Sequence, residues 1–239
     1  MSRLTLENGI WKVADDLSFS SVSMQSIDPT SWSEQDTDGI LKSVGYSNGT
    51  TTFTMNVSAG STNYQLNSAT KAFPRMYTTL TAEDGTIMTT DDTFVFYVRL
   101  RQFSAAFAAR AFIAICADAA NDNTANMQPF GFFCYELTPN IGGGLWDYTA
   151  TEQQTNANFD ANHGLAIFTP TKAVGMWSYI TNIGGTMLTR NDRNINQTYT
   201  TGQNLQLMVG VATETGATAI VQDDTVSLDF EYQIFRFSF

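Results

Sequence analysis

The chain contains a single histidine, which limits the nucleophilic chemistry that it can perform. His163 lies in the sequence Ala161-Asn162-His163-Gly164, and no Gly-x-Ser-x-Gly nucleophile elbow occurs in the chain. Since a serine or cysteine nucleophile needs a neighbouring base, any triad would have to use His163, whose surroundings favour a surface or turn residue. A zinc site is equally unsupported, because no Cys-x-x-Cys or closely spaced histidine pair is present.

Glycoside hydrolysis needs only two carboxylates at a set separation, so this enzyme class is the hardest to dismiss. Asp229 and Glu231 are two residues apart on a predicted strand and therefore share a face, and Glu136 lies on another predicted strand. The Glu-x-Asp-x-x-Glu signature of sandwich-fold endoglucanases is absent, since residues 34–39 read EQDTDG. We therefore predict a non-enzymatic protein, in which Asp229 and Glu231 form a solvent-facing polar edge.

An Asp- and Asn-rich loop is the best candidate for a metal site. Asp118, Asn121 and Asp122 offer the oxygen ligands that calcium prefers, although their spacing does not match an EF-hand. Loops of this composition also form turns without metal. The sequence thus predicts no cofactor, with calcium at these residues as the alternative. Asp91-Asp92 and Asp223-Asp224 are predicted to be turns that precede strands.

Aromatic residues with amide neighbours are candidates for contact with a ligand or partner. Trp146 and Tyr148 follow the glycine run 142–144, which is predicted to be flexible, and Trp177 shares a predicted strand face with Tyr179. Such residues serve either as carbohydrate platforms or as core packing. The carboxyl-terminal residues Phe235, Phe237 and Phe239 form a second group of candidates. A free tail with these side chains would expose apolar surface, so we predict that the carboxyl-terminal segment lies in a sheet or interface.

Composition places the chain among acidic globular proteins. It has 12 basic and 23 acidic residues, a net charge of −11, 43% hydrophobic residues and only 15% charged residues. Nucleic-acid binding is disfavoured, because phosphate neutralisation needs clustered Lys and Arg. We expect no membrane span and no secretory signal, since no apolar run is long enough.

Short strands separated by turn signals run along the chain. The clearest is 94–101, where aromatic and aliphatic residues alternate with a more polar set, and 111–116 with 130–137 predict a hairpin with a long loop. Residues 104–109 fit either one helical turn or the start of the following strand, and we favour the strand. Further strands are predicted at 9–13, 17–24, 40–46, 51–57, 71–80, 164–168, 174–180, 205–211 and 228–239.

Roughly twelve strands with little helix imply a two-sheet sandwich or a closed barrel. We expect one all-β domain over residues 1–239, an antiparallel two-sheet jelly-roll sandwich. In the last predicted strand the apolar residues occupy even positions up to Ile234 and odd positions from Phe235 onward. This change predicts either a bulge near Ile234 or burial on both faces. The sequences Asn-Ile-Gly-Gly at 140–143 and 182–185 are interpreted as turns. Cys116 and Cys134 are interpreted as two reduced thiols, with a bridge across the hairpin as the alternative.

The order of these elements resembles a concanavalin A-like jelly-roll sandwich. The resemblance rests on the aromatic strand at 94–101, the strand at 112–115, the Asx loop, Phe130-Gly131-Phe132-Phe133, the Gly-rich loop with Trp146, and the closing strand. Such sandwiches occur in lectin-like and laminin G-like modules and in phage virion decoration and fibre proteins. For a lectin-like site the resemblance implies Asp118, Asn121 and Trp146. It covers residues 85 to 239; for residues 1–84 an amino-terminal arm and additional strands remain open.

Two functions fit these observations. We favour a virion structural protein, a phage capsid decoration or head- or tail-associated jelly roll that acts through protein contacts. It would contact other virion proteins and form a homo-oligomer such as a trimer. It would be made in the host cytoplasm and located in the virion. The alternative is a carbohydrate-binding, lectin-like or receptor-binding module.

Overall fold

A computed structural model describes residues 4–7, 10–13, 25–36, 39–56, 73–82, 84–107, 109–121, 127, 129–138, 140–146, 152–156, 163–171, 174–183, 186–195, 200–213 and 221–237. These residues form strands and one 3-10 turn at Pro29–Ser31. No helix in these segments is long and apolar enough to cross a bilayer.

The strands that precede the long central hairpin are β1 (Leu4–Glu7), β2 (Ile10–Val13), β3 (Gln25–Ser26), β4 (Ser33–Gln35), β5 (Leu41–Ser47), β6 (Thr50–Met55), β7 (Arg75–Thr79) and β8 (Thr93–Ala105). The remaining strands are β9 (Ala109–Cys116), β10 (Pro129–Thr138), β11 (Asn140–Trp146), β12 (Glu152–Asn156), β13 (His163–Thr171), β14 (Val174–Ile183), β15 (Thr186–Ile195), β16 (Gln206–Thr213) and β17 (Thr225–Phe237).

Two antiparallel sheets form a sandwich. One sheet has the order β12-β11-β10-β9-β16-β7-β4, and the other has the order β15-β14-β13-β8-β17-β6-β5, with β3 added beside β17. β1 and β2 form a separate hairpin. The predicted all-β sandwich is therefore confirmed. Strands β3 to β7, from the part of the chain that the sequence resemblance does not cover, belong to these two sheets.

The main core lies between the inner faces of the two sheets. In β8, Phe94, Phe96 and Val98 are buried at alternate positions, as the period of a strand requires. They belong to one cluster with Ile113 of β9 and Val209 of β16, which lie in the opposite sheet. Burial of these side chains is what holds the two sheets together.

A second hydrophobic cluster covers the outer face of the seven-stranded sheet. Every residue of β9 is buried, because Phe112 and Cys116 on its outer face pack with Phe73 and Met127. The rings of Phe73 and Phe112 meet edge-to-face with centroids 4.3 Å apart. Phe112 also lies opposite Gly210, where a Cβ atom would be 2.6 Å from Phe112 Cε2. Only glycine fits at that position.

Most predicted strands are present, and the differences have physical causes. The hairpin of β9 and β10 is confirmed. The glycine run 142–144 was expected to be flexible and 140–143 a turn, but both lie in β11, where pairing with β10 and β12 fixes the backbone. Residues 104–105 belong to β8 instead of the following strand, which starts at Ala109. Leu17 to Met24 lies outside the described residues.

The last strand lies inside its sheet. β17 pairs with β8 as far as Phe237 and with β6 and β3 on its other side, so the prediction that this segment belongs to a sheet is confirmed. The predicted bulge near Ile234 is wrong: the register shift falls between Asp229 and Phe230, and the extra residue is Arg101 on β8. Both predicted Asp-Asp turns lie directly before strands, β8 and β17.

Candidate functional site

A pocket of about 270 Å³ lies between the two sheets, at the boundary of the main core. We call it the inter-sheet pocket. One side is formed by β7 and the residues that follow it, and the other by β3 and β17. The described residues that line it are mostly polar, and none of them is charged. The polar lining residues are Gln25, Thr78, Thr79, Thr81, Tyr232 and Gln233, and the core residues Leu80, Leu207 and Ile234 also line it.

On the β7 side, the pocket exists because one core-facing residue of the strand, Thr78, is small and polar. Met76 and Leu80 are buried in the main core, and Thr78 lies between them on the same face because side chains alternate along a strand. Thr78 pairs with Leu207 of β16, which is fully buried. A short hydroxyl-bearing side chain therefore stands where a larger apolar one would continue the core.

On the β17 side, the strand that pairs with β17 beside the pocket is only two residues long. β6 pairs with β17 only from Thr225 to Leu228, and beyond that point the two-residue strand β3 takes its place. Phe230, Tyr232 and Ile234 share the inner face of β17, where Phe230 is buried and Tyr232 is partly buried. Tyr232 thus stands between two core residues of this face and brings a polar group to the pocket.

Tyr232 and Gln25 form the best-defined polar pair of the pocket. The Tyr232 hydroxyl donates a hydrogen bond to Gln25 Oε1 at 3.2 Å. The tyrosine ring lies 6.4 Å from that of Phe96, which ties it to the core. Burial raises the pKa of Tyr232 above that of a free phenol. Its hydroxyl therefore stays protonated at neutral pH and remains a donor.

The chemistry available in the pocket is hydrogen bonding without formal charge. Hydroxyl and amide groups can both donate and accept, whereas ionised groups can do only one of the two. The volume is just below the range of roughly 300–1,000 Å³ that is usual for small-molecule sites. The pocket therefore suits a small, neutral ligand with several hydroxyl groups.

The carboxylates considered for hydrolysis form ion pairs on the outer face of the eight-stranded sheet. Arg101 NH1 donates to Glu231 Oε1 at 3.0 Å, and Arg101 Nε lies 3.7 Å from Asp229 Oδ2. The hydrogen bond to Glu231 and the charges of both carboxylates raise the pKa of Arg101. The shared face of Asp229 and Glu231 is confirmed, because the same guanidinium contacts both.

The predicted solvent-facing edge is wrong, however. β17 is an interior strand, and the Asp229 and Glu231 side chains are each only 12% exposed. The bulge at Arg101 places a cation over both carboxylates, which makes their burial tolerable. Glu136, the third carboxylate considered, lies in β10 of the other sheet.

The calcium candidates Asp118 and Asn121 lie together in the loop after β9. Asn121 Nδ2 donates to Asp118 Oδ2 at 3.3 Å, and the Asn121 backbone N–H donates to the Asp118 carbonyl at 3.2 Å. Asp122 lies outside the described residues. Within the described part of the chain, no three His, Cys, Asp or Glu side chains converge on a metal position.

A buried arginine organises this loop. Arg75 donates from Nε to the Ala119 carbonyl at 2.6 Å and from NH2 to the Asn121 carbonyl at 2.8 Å. It also donates from NH1 to the Phe73 carbonyl at 3.0 Å, and its guanidinium lies 5.1 Å from the centre of the Phe73 ring. Two carbonyl oxygens of the candidate calcium loop thus already bind a cationic side chain.

The aromatic candidates do not form one group in the described backbone. Trp146 ends β11 in the seven-stranded sheet, whereas Trp177 lies in β14 of the eight-stranded sheet. Phe235 and Phe237 lie in β17, opposite Val95 and Thr93 of β8. Tyr148 and Phe239 lie outside the described residues. For the two tryptophans and for Phe235 and Phe237, the structure describes the backbone only.

The histidine and the cysteines do not assemble a nucleophilic site. His163 begins β13 and pairs with Arg99, so of the surface or turn position predicted for it the turn is wrong. Cys116 is a buried free thiol, and burial raises its pKa to about 12. In the register, Cys134 is opposite Phe112, whereas Cys116 is opposite Pro129. The hairpin therefore does not place the two cysteines across from each other.

Comparison with known proteins gives structural neighbours only. No protein-family model and no curated protein matches the chain. Among solved structures, it is similar to the CBM2 module of the Lactobacillus casei BL23 phage J-1 evolved Dit, with TM-score 0.40 and 12% identity over 81% of this chain and 79% of that one.

Two further neighbours are a lectin-like protein and an enzyme. Arcelin-5, a lectin-like defense protein from Phaseolus vulgaris, has TM-score 0.41 and 7% identity over 85% of this chain and 96% of that one. SCLam, a non-specific endo-beta-1,3(4)-glucanase from family GH16, has TM-score 0.41 and 14% identity over 88% and 87%. At these TM-scores and identities, the neighbours assign neither a family nor a function to this chain.

The pocket residues Gln25, Thr78 and Tyr232 were not among the candidates chosen from the sequence. A signal was present in β7, where the core-facing pattern places Thr78 between two apolar residues. Nothing in the sequence shows that Thr78 lies across the pocket from β17, because this proximity depends on contacts between distant segments. Arg75 gave no signal, since an arginine in a short strand is usually solvent-exposed.

Proposed function

We propose that this protein is a non-catalytic recognition module that binds carbohydrate in the inter-sheet pocket. The observation that carries the proposal is the lining of this pocket, in which residues with hydroxyl, phenol and amide side chains line a space of about 270 Å³ beside an apolar core. A sugar ring has hydroxyl groups at its rim and C–H groups on its faces. Polar groups placed beside apolar ones match that pattern.

Specific residues support this assignment. Tyr232 presents a protonated hydroxyl beside Gln25, and Thr78 presents a hydroxyl from the opposite sheet. The Asp229 and Glu231 carboxylates face away from the pocket and are ion-paired with Arg101. The groups that could act as acid and base are thus separated from the groups that could hold a sugar, which favours binding without hydrolysis.

A glycan array with two pairs of variants tests the proposal. Thr78→Val and Tyr232→Phe each remove one hydroxyl from the pocket with little change of shape, and we expect both to lose binding to the glycans retained by the unmodified protein. Trp146→Ala and Trp177→Ala, at the positions chosen from the sequence, should retain it. Binding that is lost in the tryptophan variants and kept in the pocket variants would place the carbohydrate elsewhere.

A second candidate function is the virion structural role, and an open sheet edge favours it. β5 is an edge strand whose described pairing is with β6 alone. Ser43, Gly45 and Ser47 are exposed, and a Cβ at Gly45 would meet nothing within 4 Å. An exposed edge can pair with a strand of another chain. In this role β5 would join copies of the protein, or other virion proteins, in a phage particle.

Light scattering coupled to size-exclusion chromatography tests this second role. Gly45→Lys places a charge on the open edge, which opposes strand pairing. We expect the unmodified protein to form a homo-oligomer, such as a trimer, and the variant to be a monomer. An unmodified protein that stays monomeric at every concentration, and that does not bind to phage particles lacking it, would contradict the virion role.

A further inference from the structure

We infer that the inter-sheet pocket selects neutral saccharides and rejects acidic ones. This inference rests on the carbohydrate-binding function proposed above and specifies the ligand class of the same pocket. Its basis is the described part of the lining, in which hydroxyl and amide residues occur and none of the described residues is Lys, Arg, His, Asp or Glu.

The free energy of desolvation explains the selection. A carboxylate that leaves water for a pocket must find a cationic partner or several hydrogen-bond donors to compensate. Among the described lining residues there is no ammonium or guanidinium, and Thr78, Tyr232 and Gln25 offer neutral dipoles. A hydroxymethyl group loses far less on desolvation, and it can both donate to and accept from such dipoles.

The charge of the whole protein acts in the same direction. With a net charge of −11, the protein repels anions before they reach the pocket. Salt screens this long-range repulsion, because the Debye length falls to roughly 3 Å at 1 M ionic strength. Salt cannot add a cationic side chain to the described lining. The two contributions are therefore separable by experiment.

Matched pairs of sugars provide the test. Methyl glucoside and methyl glucuronide, and likewise the galactose pair, differ only in whether C6 carries a hydroxyl or a carboxylate. In titration calorimetry at pH 7, we expect the neutral member of at least one pair to bind at least tenfold more tightly than its acidic partner. The preference should weaken at high salt but persist.

A designed cation should reverse the preference. Gln25 is exposed and lies beside the Tyr232 hydroxyl, so Gln25→Lys adds an ammonium at the pocket. The matched control is Ser26→Lys, which adds the same charge one residue away, at an exposed position that does not line the pocket. We expect Gln25→Lys to bind the uronide at least tenfold more tightly than the unmodified protein does, and Ser26→Lys to leave the preference unchanged.

The outcomes separate the two proposals. If uronides bind as well as their neutral partners, and Thr78→Val weakens both, the pocket binds carbohydrate but the inferred selectivity is wrong. If no sugar in the calorimetric panel and none on the glycan array binds, the proposed function and this inference both fail. Thr52→Val is the control for the hydroxyl deletion, because Thr52 is hydrogen-bonded to Ser227 and does not line the pocket.

Discussion

The Tyr232 hydroxyl donates a hydrogen bond to Gln25 Oε1 across 207 positions of sequence, and this bond ties the two-residue strand β3 to β17. β3 contributes only two paired residues, so side-chain contacts must help to hold it. The same bond orients the two polar groups that define one side of the inter-sheet pocket. Its strength is therefore relevant to both folding and ligand binding.

The first prediction concerns the coupling between these two residues. We expect Tyr232→Phe and Gln25→Ala each to lower the free energy of unfolding by about 0.5–1 kcal/mol, since an accessible hydrogen bond contributes modestly. In a double-mutant cycle the two losses should not add, because either change removes the same bond. Urea unfolding of the four proteins measures this coupling, and strictly additive losses would show that the bond contributes nothing.

The second prediction concerns the crowding at Gly210. A methyl group there would be 2.6 Å from Phe112 Cε2 and 2.9 Å from the Pro74 carbonyl oxygen. We expect Gly210→Ala to lower the free energy of unfolding by about 1–3 kcal/mol, the usual result of overpacking. Gly45→Ala is the matched control, since it is also in a strand but meets nothing within 4 Å. Its effect in thermal unfolding should stay within about 0.5 kcal/mol, and equal effects at both glycines would argue against the crowding.

Local pattern was sufficient to predict part of this fold. Residues 94–101 alternate because one face of β8 lies on the core, and that period can be read from neighbouring residues alone. β11 could not be predicted in this way, because its glycines resemble a turn and only pairing with β10 and β12 makes them a strand. Tertiary pairing overrides local preference in such segments.

The candidate site was harder to predict than the fold. Functional residues commonly lie in loops, whereas Thr78 and Tyr232 lie in regular strands of two different sheets. Their proximity depends on how β7 and β17 are placed across the sandwich, which no local spacing encodes. The ion pairs of Arg101 with Asp229 and Glu231 likewise depend on a bulge that sequence alternation does not show.

The third prediction concerns the loop held by Arg75. Arg75→Met keeps much of the apolar stem but leaves the carbonyls of Phe73, Ala119 and Asn121 without these donors. Charged hydrogen bonds contribute more than neutral ones, so we expect a loss of about 3 kcal/mol in the free energy of unfolding. Hydrogen exchange at the Ala119 and Asn121 amides should quicken as the loop opens.

Lys42→Met is the control for that substitution. This substitution also removes a cationic contact, the ion pair of Lys42 with Asp223, but both side chains are about half exposed, at 49% and 58%. Exposed pairs of this kind contribute little, so we expect Lys42→Met to lower the free energy of unfolding far less than Arg75→Met does. A comparable loss in both variants would mean that the burial of Arg75 confers no special role in the loop.

The fourth prediction is a loss of stability at alkaline pH that depends on Cys116. Burial raises the pKa of the Cys116 thiol from 9.0 to about 12, since a thiolate would lose its hydration in the second cluster, and the nearby Arg75 only partly offsets this. Below pH 9 the thiol is neutral in both the folded and unfolded states, and its contribution to stability is fully present. Between pH 9 and 12 only the unfolded chain releases the proton, so stability falls as pH rises.

The size of this effect follows from linkage. Each pH unit above 9.0 should lower the free energy of unfolding by about 1.4 kcal/mol, which amounts to about 2 kcal/mol at pH 10.5. Cys116→Ala removes this thiol and leaves Cys134, the tyrosines and the lysines to titrate as before. Urea unfolding at pH 8 and pH 10.5 should therefore show a smaller alkaline loss for Cys116→Ala than for the unmodified protein, by about that amount. An equal loss in the two proteins would mean that water reaches the thiol and that the second cluster is open over Cys116.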